Sequence, residues 1–151
     1  MKPIETRHLF TMTMQSERQP FGRTPLGQRR VVVVTEAVIE GAGLRATLLP
    51  GGSDWITEAD DGTFHLDCRL VFQTDDGALI GMTYRGLRHG PPDVMAQMSR
   101  GEVVDPDQYY HRVAIFFETS APKYASLNKT LAVGRARPDA TGGVYQVFEV
   151  L

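Results

Sequence analysis

From Phe64 to Thr74 the chain alternates without a break, with Phe64, Leu66, Cys68, Leu70 and Phe72 on one face and His65, Asp67, Arg69, Val71 and Gln73 on the other. A two-residue period predicts a β-strand with one buried side. Thr74-Asp75-Asp76-Gly77 ends it in an Asp-Gly step. That step supplies the positive φ of a tight hairpin, so Ala78 to Gly86 is expected to return as the antiparallel partner. His8 to Met14 alternates too, His8, Phe10, Met12 and Met14 against Leu9, Thr11 and Thr13. Arg29 to Ile39 is too rich in β-branched valine to favour a helix, and Gly41 and Gly43 turn it into Leu44 to Leu49. Tyr109 to Glu118, Leu131 to Ala136 and Val144 to Val150 bring the strands to eight. One helix is expected over Asp93 to Arg100, after Pro91-Pro92 and before Gly101, acting as a lid or plug. Ala121 to Asn128 adds at most one further turn.

Eight strands are enough to close a sheet and remove its edges, leaving an interior that side chains fill or that holds one small ligand. The expected architecture is therefore one all-β domain over residues 1–151, about eight antiparallel strands in a closed barrel with one short helix; a sandwich is the competing arrangement. Val31 to Val34 and Val113 to Phe117 are apolar on both faces, whereas a wall bare to water should alternate. A cover is expected there, either the helix or a second copy of the chain in a homodimer or larger homo-oligomer.

Composition narrows the partners. Hydrophobic residues make up 42% and charged residues 23% of 151, ordinary globular usage that needs neither metal nor disulfide to fold. Lys and Arg total 16 against 18 Asp and Glu, and no basic stripe is interleaved with aromatics, so nucleic acid is not expected as a partner. No run approaches the ~20 apolar residues of a membrane span, and the N-terminus has no apolar signal core. The lone Cys68 sits in an apolar alternation, consistent with a reducing compartment. Together these point to a cytoplasmic protein.

The chain has no Gly-x-Gly-x-x-Gly, phosphate-binding loop, Gly-x-Ser-x-Gly elbow or His-Glu-x-x-His. The histidines His8, His65, His89 and His111 are scattered, so no metal site and no cofactor are expected. Candidate chemistry lies instead in polar residues within or beside strands. Pro50-Gly51-Gly52-Ser53-Asp54-Trp55 sets two glycines before an acid and the only tryptophan. Either both side chains turn toward the barrel mouth, or Trp55 plugs the end and Asp54 caps a turn. Tyr84 shares parity with Ile80 and Met82 and points inward on that reading. Arg112 alternates with Tyr110, Ala114 and Phe116, a guanidinium on a mostly apolar face that calls for a partner unless it snorkels at the rim. Asp67 and Arg69 would form an anion or carbonyl site if they faced inward. The apolar residues between them favour the outward face, as surface pairs. Tyr124 and Asn128, one helical turn apart, either face the same opening or pin their loop.

Pro50 to Trp55, Leu66-Asp67-Cys68-Arg69, Thr74 to Gly77, Tyr109-Tyr110-His111-Arg112, Phe117-Glu118-Thr119 and Tyr124 to Asn128 together resemble the bacterial uncharacterised protein family 0311, domain of unknown function 3237. The resemblance covers nearly the whole chain and implies a small β-barrel without an assigned activity. Members tend to carry a Phe-Arg step where His111-Arg112 stands, so His111 is a departure. The expected function is binding of a small acidic or aromatic metabolite. In the catalytic form it is a cofactor-independent isomerase or lyase acting next to a carbonyl, with Asp54 as base and Tyr84 and Arg112 stabilising an enolate or carboxylate; Trp55, Arg69, Tyr124 and Asn128 contact the ligand. The alternative is a noncatalytic metabolite-binding or assembly barrel.

Overall fold

A computed structural model describes all residues, Met1–Leu151. It contains β1 (Thr6–Thr24), β2 (Gly27–Gly41), β3 (Leu44–Leu48), β4 (Ser53–Glu58), β5 (Phe64–Thr74), β6 (Leu79–His89), α1 (Pro92–Ser99), β7 (Tyr110–Glu118), a 3₁₀ turn (Pro122–Lys129), β8 (Ala132–Pro138) and β9 (Gly142–Val150). All pairings are antiparallel. The order runs β1-β9-β8-β7-β6-β5-β3-β2-β4, and further pairings of β1 with β2 and of β5 with β4 bring the sheet round on itself.

The ninth strand comes from Pro50-Gly51-Gly52, which interrupts a strand rather than ending it. Val38–Gly41 of β2 pair with β3 and Gln28–Val33 with β4, while β5 receives the same two strands on its other side. β3 and β4 thus lie end to end and share one position, so nine strands make eight staves. Across the gap Leu49 donates to the Val71 carbonyl at 2.8 Å and Val34 to the Gly52 carbonyl at 3.0 Å. Gly51 takes φ 110°, and a Cβ on Gly52 would lie 2.5 Å from Leu70 Cδ2, so the interruption needs both glycines.

The alternation of β5 is complete, with Phe64, Leu66, Cys68, Leu70 and Phe72 inward and Asp67 and Arg69 outward. Beyond the valine run the inward phase slips for a reason the pairing supplies. Gln15 pairs with Glu36 but Ser16 with Val34, leaving Thr35 as an extra residue. The inward series on β2 accordingly shifts phase, from Val32 and Val34 to Ala37 and Ile39. On the outer face Phe116 stays 58% exposed in the single chain. No helix is long and apolar enough to cross a membrane.

Strand crossings this close leave no room for a side chain at Gly41, where a Cβ would lie 2.1 Å from the Leu9 carbonyl oxygen. Gly41→Ala is expected to cost about 3 kcal/mol, the upper range for overpacking, because backbone cannot step aside as a side chain can. Gly77→Ala, in open space at φ 85°, should cost only ~1 kcal/mol. Urea unfolding midpoints of the two variants test the contrast, and equal losses would refute the steric account.

Candidate functional site

At one end of the closed sheet, beside α1, inward residues enclose a cavity of about 50 Å³. Its organising row crosses three strands. Asp54 of β4 stands opposite Cys68 of β5, which stands opposite Tyr84 of β6. The small thiol between them lets the phenol reach over, and Tyr84 Oη donates to Asp54 Oδ2 at 3.0 Å. The Asp67 N–H donates to Asp54 Oδ1 at 3.0 Å, so both carboxylate oxygens are held. Asp54 is 3% exposed. Burial pushes its carboxyl up to about 6, against the opposing pull of Tyr84, the Asp67 N–H and the Arg88 charge. Burial first, then Tyr145, the Asp54 carboxylate and Cys68 beside it, keep the Tyr84 phenol protonated far above its usual range.

A second inward pair completes the chamber. Arg88 of β6 stands opposite His111 of β7, and the His111 and Tyr145 (β9) rings form a T-shaped pair with centroids 5.7 Å apart. Tyr145 in turn lies 5.8 Å from Tyr84. His111 is 1% exposed, and neither of its ring nitrogens has a hydrogen-bond partner. Burial, helped by the Arg88 and Arg112 charges, brings its pKa down to about 3 and keeps the imidazole neutral. Arg88 Nε is likewise buried and unpartnered, while its guanidinium lies 4.5 Å over the Phe64 ring. Arg30, 4.9 Å from the same ring, is paired with Glu58 at 2.8 Å.

Of the residues expected to meet at one mouth, the structure brings together only Asp54 and Tyr84. Trp55 follows Asp54 on an extended strand and so faces outward, 43% exposed against Phe21 and Arg29. Arg112 also points out of the barrel, because it is His111, Val113, Ile115 and Phe117 that face in. Its guanidinium donates to the His111 carbonyl at 2.9 Å and lies over Tyr110. It influences the chamber only through its charge. Arg69 is exposed on the outer face, opposite Ser53 and Thr83. Tyr124 and Asn128 sit at the opposite end, beyond the stretch of β5 from Cys68 to Thr74, roughly 20 Å of strand. There Tyr124 Oη donates to Asp76 at 3.1 Å, and Asn128 bonds both the N–H and the carbonyl of Thr119, so the two residues pin a loop.

Arg88, His111 and Tyr145 are the chamber residues that reading the chain alone did not gather. Arg88 was legible by parity, two steps beyond Gly86 on the Tyr84 face. The other two depend on which strands become neighbours.

The family model described as "Protein of unknown function (DUF3237)" matches residues 4–150. A UPF0311 protein of Rhodopseudomonas palustris is 33% identical over 149 residues, 98% of this chain and 97% of its own. The crystal structure of a conserved protein of unknown function from that organism has a TM-score of 0.95 at 32% identity, covering 100% of both chains. A β-barrel-like protein from Acinetobacter baumannii has a TM-score of 0.85 at 33% identity, covering 100% of this chain and 98% of its own. An enzyme from Penicillium herquei is alike in fold alone, with a TM-score of 0.74 at 22% identity over 100% of this chain and 97% of its own.

Proposed function

Since this chain belongs to the DUF3237 (UPF0311) family, whose description assigns no activity, we propose its function from its own chamber: cofactor-independent proton transfer next to a carbonyl, with Asp54 as the base. The observation that carries this reading is a carboxylate already held on both oxygens, facing polar groups that have nothing to bind. A carboxyl with a pKa of about 6 is mostly ionised at neutral pH, yet basic enough to take a proton from carbon acidified by a carbonyl. Tyr84 and the Asp67 N–H fix its direction. The neutral His111 ring and Arg88 are the free donors beside it, suited to the negative charge that develops on the carbonyl oxygen. They take the part expected of Arg112. The unpaired, buried Cys68 is in keeping with a cytoplasmic setting for this chemistry.

The test needs no knowledge of the natural substrate. Small ketones, aldehydes and oxo acids are incubated with the protein in D₂O, and loss of the C–H signal next to the carbonyl is followed by NMR. Faster exchange with the wild-type chain, abolished by Asp54→Asn, is the expected result. Exchange that survives Asp54→Asn, or none with any compound, overturns the proposal. Ligand binding unaffected by Asp54→Asn, without exchange, would instead favour the noncatalytic binding barrel.

A further inference from the structure

The chamber opens toward a rim where three guanidiniums converge, those of Arg18 on β1, Arg30 on β2 and Arg88 on β6. Their situations differ. Arg30 is neutralised by Glu58 at 2.8 Å. Arg18 and Arg88 take part in none of the ion pairs or side-chain hydrogen bonds of the chain, although like charges brought together normally recruit a carboxylate. The acids nearby are otherwise engaged. Asp139 accepts from the N–H groups of Thr141 and Gly142, with Arg137 adding positive charge beside it, and Glu102 pairs with Arg100 at 2.8 Å. With Glu58 counted against Arg30 and Arg137 against Asp139, which also lines the rim, the guanidiniums of Arg18 and Arg88 are left facing the carboxylate of Asp54, an excess of one positive charge. Just inside this rim His111, 1% exposed, lines the cavity with neither ring nitrogen hydrogen-bonded.

Resting on the proton-transfer reading, we infer that the substrate is a monoanionic carboxylate, gripped at the rim by Arg88 and Arg18 so that its adjacent carbonyl meets His111 and its acidic carbon meets Asp54. The size of the chamber limits what enters. A cavity of about 50 Å³ holds on the order of four waters at ~10–15 Å³ each, the bulk of a two- or three-carbon oxo-acid head. Any remainder of the molecule stays at the rim beside Met95 and Met98 of α1. The planar guanidinium fork suits a carboxylate, and a dianion such as phosphate would meet the Asp54 charge with no second counterion.

Pyruvate, pyruvamide, methyl pyruvate and inorganic phosphate serve as probes, with affinity read by calorimetry and by the ligand-induced rise in unfolding temperature. Pyruvate is expected to bind at least tenfold more tightly than its neutral amide and ester, and more tightly than phosphate. Arg88→Met, which keeps an apolar stem on Phe64, should weaken pyruvate at least tenfold, and Arg18→Met about threefold, with the neutral probes unchanged. Arg18 is exposed, so its substitution cannot be mistaken for unfolding, and it decides the matter if Arg88→Met does not fold. Equal affinity for acid and ester, phosphate binding as tightly as pyruvate, no binding of pyruvate at millimolar concentration, or pyruvate affinity untouched in Arg18→Met would each overturn the inference. Asp54→Asn separates it from the reading beneath it. Pyruvate binding that persists or tightens there, with no exchange in the wild type, sinks proton transfer and leaves the carboxylate site standing; Asp54-dependent exchange of neutral ketones without any preference for acids does the reverse.

Discussion

Asp54→Asn is expected to abolish proton exchange and, in the same molecule, to stabilise the fold at neutral pH. Loss of a positioned base costs roughly 10²–10⁴-fold in rate. The gain in stability follows from the same burial that tunes the base. The carboxyl rises from 3.8 to about 6 on folding, so between those values the native state holds a proton that the unfolded state has released. Stability therefore falls as pH rises from about 4 to 6, and the full cost remains above 6. Two units at ~1.4 kcal/mol each put it at about 3 kcal/mol. Asparagine carries no charge, can still accept from the Asp67 N–H, and presents its amide to the Tyr84 oxygen, which as a hydroxyl can turn to accept. The variant should gain up to about 3 kcal/mol at pH 7.5 and almost nothing at pH 3.5. Urea midpoints at the two pH values measure this, and a variant less stable than wild type at pH 7.5 would contradict it.

His111→Phe should stabilise with the opposite pH dependence. At neutral pH the substitution removes two buried nitrogens without partners, a relief of about 1–3 kcal/mol, and the larger ring extends into the cavity toward Tyr145. In acid a further gain appears. The imidazole titrates at about 3 in the fold against 6.5 unfolded, so below 6.5 the unfolded state binds a proton that the native state refuses. Wild-type stability is lost as pH falls through that window, about 2 kcal/mol by pH 5, and phenylalanine does not share the loss. The expected gain is thus about 2 kcal/mol larger at pH 5 than at pH 7.5. Equal gains at both pH values would refute the lowered imidazole pKa, and a loss of stability at pH 7.5 would refute the relief expected from removing the unpartnered nitrogens. The variant should also weaken pyruvate binding, since the donor facing the carbonyl is gone. Two neighbouring groups that each cost stability, in opposite pH ranges, are what a site retained for chemistry rather than for folding looks like.

The residues that were legible in advance share one property, dependence on a single strand. Tyr84 reads as inward from Ile80 and Met82, and Asp67 and Arg69 as outward from Leu66, Cys68 and Leu70, because parity along a strand is local. Where both faces of a strand are apolar, parity has no sign. β7 shows this: Tyr110, Ala114 and Phe116 made as plausible an inner face as Val113, Ile115 and Phe117, so Arg112 was read at the barrel's mouth, where the structure puts His111 instead. The expectation that Asp54 and Trp55 act together failed for a related reason. Gly51 and Gly52 read as the end of a strand, whereas the chain bulges and resumes, and extended neighbours then point to opposite faces.

The sequence by itself determined the all-β class, the hairpin of β5 and β6 and the short helix, and it favoured one inward face for β5 without fixing it, since a period of two and an Asp-Gly turn act over a few residues. Only the tertiary structure decided the phase shifts at Thr35 and at Gly51-Gly52, and which strands stand side by side around the ring. The row Asp54–Cys68–Tyr84 and the pair Arg88–His111 exist because of those adjacencies. They join residues far apart in the chain through cross-strand register, which depends on the closure of the whole sheet rather than on any one segment.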